Sequence, residues 1–132
     1  MLIEQAILTR LLADSAISTL VGTRIYYVRA DQAVAKPYIV FSKISAIRVS
    51  SHDGGSGLAN PRFQFSCFGE TYKSVTDIAV AIQDSLEGFT GVMGGVGGVN
   101  VNGCYYEDET DFYEEDSKLY HRALDFKLWH DE

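Results

Sequence analysis

An α+β fold, with an antiparallel (mixed) β-sheet flanked by α-helices, is what this sequence predicts, and three observations predict it. The chain opens on apolar residues at helical spacing, and a second such stripe runs through 70–88. Between and after them lie segments rich in β-branched and aromatic residues or alternating in polarity. The order helix, strands, helix, hairpin groups the elements by type, as expected of an antiparallel sheet. At 132 residues the chain suits one core, so residues 1–132 are expected to form a single domain.

The opening "LIEQAILTRLLADSAISTLVG" reads as helix, with Ile3, Ile7, Leu8, Leu11 and Leu12 inward and Glu4, Gln5, Thr9 and Arg10 mostly outside. Asp14 is placed to N-cap a second short turn that ends at Gly22. "RIYYV" predicts a short strand and "DQAVAK" a loop, after which Lys36-Pro37 keeps the chain extended. In "YIVFSKISAIRV" both faces are partly apolar, Tyr38, Val40, Ser42, Ile44 and Ala46 against Ile39, Phe41, Lys43, Ser45 and Ile47. One face is expected under helices and the other against a neighbouring subunit.

"SHDGGSGLAN" reads as a polar loop of about ten residues, longer than a usual hairpin connection. "PRFQFSCF" follows as a half-buried strand with Phe63, Phe65 and Cys67 inward. The helix over 70–88 carries Val75, Ile78, Ala79, Ile82 and Leu86 on one stripe and ends at Gly88. The glycines of "GVMGGVGGVNVNG" point to a flexible segment. Two strands, about 103–113 and 119–129, close the chain around "EEDSK", with Leu124, Phe126 and Leu128 inward.

Charge is unevenly placed. Residues 1–60 hold six basic and four acidic side chains, whereas 61–132 hold five and fourteen. Such a balance repels nucleic-acid phosphate, and it suits subunits that pack basic face to acidic face or line a conduit that DNA must pass without sticking. The apolar runs are too short for a membrane span, and no basic flank marks a secretory signal. Cys67 and Cys104 lack CxxC spacing and read as reduced, buried thiols more readily than as one disulfide.

No cofactor or catalytic motif emerges. Seven carboxylates and no base lie between Glu107 and Asp116. They lack calcium-loop spacing, and a catalytic pair would need a member in an apolar pocket. They read as a solvated or interaction surface, with Glu107, Glu109 and Asp111 sharing one strand face and Asp108 the other. Neither glycine stretch carries the lysine of a phosphate loop. His52, His121 and His130 fall in a loop, a strand and a terminal tail without metal-binding spacing. Tyr105, Tyr106, Tyr113 and Tyr120 suit a core and an interface equally.

In order, "GTRIYYV", "KPYIVFSKIS", "SHDGGSGLANPRFQFSCFGETY", "AVAIQDSLEGF" and "EDETDFYEEDSKLYHRALDFKLWH" resemble the small tail-completion proteins of long-tailed, siphovirus-type phages. The resemblance spans nearly the whole chain. It implies a tail-terminator-like fold and no catalytic residues. It implies further a homo-oligomeric, hexameric ring that caps the tail tube, ends its growth and offers a surface for head attachment. The implied partners are other copies, the tail tube protein and head-tail connector or neck proteins. DNA would pass through the lumen unbound, and the protein would belong to the virion tail or neck after assembly in the host cytoplasm. Candidate interface or lumen residues are Arg48, His52, Glu107, Asp108, Glu109, Asp111 and Tyr113. The alternatives are a head-side neck connector or, more remotely, a small metal-dependent enzyme using the acidic hairpin.

Overall fold

The structure, a computed structural model, describes residues 1–30, 34–51 and 54–131, with the backbone alone at 47–51 and 54–56. Three helices, α1 (Ile3–Ala13), α2 (Ser15–Val21) and α3 (Tyr72–Leu86), accompany six strands. The strands are β1 (Ile25–Tyr27), β2 (Tyr38–Ser51), β3 (Gly54–Gly69), β4 (Gly91–Met93), β5 (Val99–Glu114) and β6 (Leu119–Asp131). They form one sheet in the order β1-β2-β3-β6-β5-β4, antiparallel except for the parallel β1–β2 pair. The mixed sheet and flanking helices are the α+β class expected from the sequence.

Local chemistry sets the helix ends. The Gln5 side chain accepts from the Leu2 N–H at 3.1 Å, satisfying a donor that the first turn of α1 leaves open. Asp14 separates the two N-terminal helices and caps the second, accepting from the Ala16 and Ile17 amides. Thr71 does the same for α3 through the Ser74 amide. Arg10, expected outside, instead ties α1 to the last turn of α3. It donates to the Ser85 carbonyl from Nε and Nη2 and lies 4.4 Å from the Phe89 ring centre.

All three helices share one core with one face of the sheet. Ile39, Phe41, Phe63, Phe65, Cys67, Leu124, Phe126 and Leu128 meet Ile7, Leu11, Ile17, Val75, Ile78, Ile82 and Leu86 there, all buried. Leu12 departs from expectation and stays exposed. Phe65 stacks on Phe41 and meets Phe126 edge-on, both at 5.6 Å, which fixes the centre of the sheet.

Two β-bulges change the expected faces. Lys43 pairs with Phe63 and Ser45 with Arg62, so Ile44 is an extra residue. Beyond it Ala46, opposite Pro61, has crossed to the helix-covered face. A second bulge leaves Glu107 unmatched between Tyr106, opposite Phe126, and Asp108, opposite Asp125. The stretches expected as glycine-rich loops are largely strand. β2 reaches Ser51 and β3 begins at Gly54, leaving only 52–53 between them. Residues 91–103 form the β4–β5 hairpin. His130, expected in a terminal tail, is buried within β6 opposite Val101 and Ala59. No helix among the described residues is long and apolar enough to cross a membrane.

Candidate interface: the bare sheet face and its acidic edge

Outside the helix layer the sheet keeps a second face, which no helix among the described residues covers. A row of rings crosses it from β1 to β5. Tyr26 meets Tyr38 edge-on at 6.4 Å, Tyr38 stacks on Phe68 at 4.9 Å, Phe68 stacks on His121 at 4.3 Å, and Phe112 closes the row at 5.2 Å from His121. Tyr38 pairs with Phe68, Phe68 with His121 and His121 with Phe112, so the ladder follows from strand register. Burial lowers the His121 pKa, while Glu114, 3.7 Å from Nδ1, pulls the other way.

Above the rings this face is polar. Asp125 accepts from Arg62 at 3.0 Å and from Gln64 at 3.1 Å, a small network in which the charge of β6 is neutralised by β3. Ser42, Ser66 and Lys127 lie beside it, half-buried or nearly so.

The acidic edge is organised by a residue the sequence reading passed over. Arg122 is buried at 7 % exposure and lies opposite Asp111 on β5. Its Nε donates to Asp111 Oδ1 at 2.6 Å and lies 3.2 Å from Glu109 Oε1, and its Nη2 donates to the Tyr72 hydroxyl at 2.7 Å. The guanidinium fork thus joins β5, β6 and the start of α3. The hydrogen bond from Arg122 holds the Asp111 carboxyl below its ordinary pKa and raises that of Arg122. The Tyr106 hydroxyl donates to Glu109 Oε2 at 2.6 Å, and desolvation together with that bond pushes its pKa up to about 12.

Each candidate residue can now be located. Glu109 and Asp111 share the helix-side face, clamped by Arg122, whereas the expected third member, Glu107, stands apart on its bulge. Asp108 points the other way, as expected, and accepts from the Glu109 amide at 2.8 Å. Tyr113, half exposed, meets Tyr120 edge-on at 5.0 Å. Arg48 lies on β2 opposite Ala59, its side chain outside the described part of the structure, and His52 falls outside the described residues. The four tyrosines divide. Tyr106 and Tyr120 pack against the core, and Tyr105 and Tyr113 are exposed.

Other clusters offer less chemistry. Among the described residues no group of three or more His, Cys, Asp or Glu is arranged to hold a metal ion. Cys67 and Cys104 are free and buried; desolvation raises both thiols, Cys104 to about 12. A mostly apolar cleft of about 850 Å³ lies between the start of α1 and β2–β3, and the 2.9 Å Lys43–Glu4 ion pair is part of its lining.

Comparison with known proteins agrees with this architecture. No curated protein matches the chain. A solved structure described as "Virion of native gene transfer agent (GTA) particle" contains a chain of the same fold, with a TM-score of 0.80 at 21 % identity. The match covers 97 % of this chain and 94 % of that one. The family model described as "Tail completion protein gp17" matches residues 5–131, so this chain belongs to the tail completion protein family and is a structural protein of the phage tail.

Proposed function

We propose that copies of this chain close into a ring, expected to be a hexamer, on the end of the tail tube. There it stops tube growth and presents a surface to the head connector. The observation that carries this reading is the sheet with one face under helices and the other bare, in a family of tail completion proteins. A bare face must meet either water or a partner. Its Arg62–Asp125–Gln64 network is charge-balanced, and Asp108 and Lys127 offset each other, so a lumen lined by it would pass DNA without gripping it. Glu107, Glu109, Asp111 and Tyr113 then belong to the rim where one subunit ends, with Arg48 on β2 near the other. The similar chain in a gene transfer agent virion supports a place inside a phage-like particle.

Electron microscopy of particles made without this chain tests the proposal. Overlong tails of irregular length, detached from filled heads, are expected. Tails of normal length left unjoined would reassign the chain to the head-side neck. Normal joined particles would overturn both roles.

A further inference from the structure

The two long edges of the sheet are each half covered, at opposite ends. β1 pairs with β2 only over Ile39–Phe41, with the Val28 amide adding one bond to the Phe41 carbonyl. Among the described residues, 42–51 of β2 therefore have a sheet partner on one side only. β4 pairs with β5 only over Val99–Val101, and the Gly88 amide donates to the Cys104 carbonyl. Residues 105–114 of β5 are likewise paired on one side only, by β6. Along each ten-residue stretch every second residue turns its N–H and C=O away from the inner neighbour, a template for another strand.

The geometry points to one occupant: we propose that the open edge of β5 adds, antiparallel, to the open edge of β2 on the next copy of this chain. The proposal rests on the ring reading above and names the contact that would build the ring. Strand direction fits, because β2 and β5 run oppositely within one sheet, so two copies in the same orientation meet antiparallel. Charge fits too. The β2 stretch holds Lys43 and Arg48 and no acid, and the β5 stretch holds Glu107, Asp108, Glu109, Asp111 and Glu114 and no base. Like edges repel and unlike edges attract, which favours a head-to-tail contact over a two-fold one.

Register supplies a sharper check. Within one chain Thr110 lies level with Val40, through Ala123 and Ser66. To meet the open part of β2 the neighbour must slide along the strands, and by an even number of residues if its faces are to match. A slide of six residues, counted on β3, sets Thr110 opposite Ile47, Phe112 opposite Ser45, Glu114 opposite Ser42 and Glu109 opposite Arg48. β1 of one copy and β4 of the next then fill the steps at either end. A slide of four sets Thr110 opposite Ser45 and brings Glu114 against the part of β2 that β1 already covers. These slides are about 20 and 13 Å, across four strands that span about 19 Å. A closed ring would then need strands tilted by about 35–46°, and closed barrels tilt by about 35–45°. The agreement does not depend on the number of copies.

Disulfide trapping tests the contact on the full chain, in tails and in purified rings seen by electron microscopy. Thr110→Cys, Ile47→Cys and Ser45→Cys are made singly and mixed in pairs under mild oxidation. Cys67 and Cys104 are buried and add little background. Thr110→Cys mixed with Ile47→Cys should give a cross-linked dimer, with Ser45→Cys a weaker one, and no single variant should pair with itself. Closed rings with no cross-link in either mixture, or Thr110→Cys pairing with itself, would overturn the edge contact and leave the ring reading standing. Absence of rings, free or on tubes, would overturn both.

Discussion

Arg122 offers one guanidinium to Asp111, Glu109 and Tyr72, and its loss should be felt unequally by them. Arg122→Met keeps much of the buried stem but strands two carboxylates. Both are at least a third exposed and can rehydrate, so the expected loss is about 1–3 kcal/mol, below that of a fully buried pair. Urea unfolding measures it, and Arg122→Lys should recover only part, since an ammonium lacks the fork. His121 sets a pH dependence. Its pKa lies below the ordinary 6.5, so the neutral ring is favoured in the fold. That stability is fully present above the unfolded value and is lost as pH falls through the lowered one. Midpoints of denaturation should drop on acidification from about pH 8 to 5, and His121→Phe should flatten the drop. A slope unchanged in that variant would remove His121 as the cause. Asp111, also held low, acts in the same direction at more acid pH, within and below the carboxylate range.

The elements respond according to what holds each one. Phe126→Ala removes the ring between Phe65 and Tyr106 and should cost about 3–5 kcal/mol by denaturant unfolding. Two glycines of the β4–β5 turn make a matched pair. A Cβ at Gly98 would collide with the Met93 carbonyl oxygen, so Gly98→Ala must displace the turn and cost about 1–3 kcal/mol. Gly95 faces open space, and its φ of +78° is the only obstacle, so Gly95→Ala should cost about 1 kcal/mol. Similar losses at both positions would mean that crowding is not what selects Gly98. The helices and the inward residues of β3 and β6 were legible in the sequence because their apolar spacing matches their period. The strand ends at 50–51 and 54–60 were not, since backbone pairing holds them without an apolar stripe, and in 91–103 the glycines obscured the positions at which Met93, Val99 and Val101 turn into the core. The bulges at Ile44 and Glu107 were hidden for a related reason. One inserted residue reverses the face of everything beyond it, and both faces of β2 carry apolar groups. The Arg122 clamp depends on cross-strand register and on Tyr72, fifty residues away, and no local pattern announces it.

At the scale of the whole molecule the net charge of −7 and the balanced bare face should leave duplex DNA alone. Retardation of linear DNA in a gel at about 0.1 M salt is not expected, because binding needs counterions replaced by Lys and Arg. A clear shift would count against a lumen lined by this face. The two cysteines bear on the particle's later life. A tail protein leaves a reducing cell for air and oxidant, where exposed thiols form stray bridges or climb the oxidation ladder. Cys67 and Cys104 are sealed in the core with their thiols held protonated. A thiol reagent should find neither until the chain unfolds. The fold therefore carries its cysteine sulfur as inert packing, and thiol oxidation in the released particle has little purchase on this subunit.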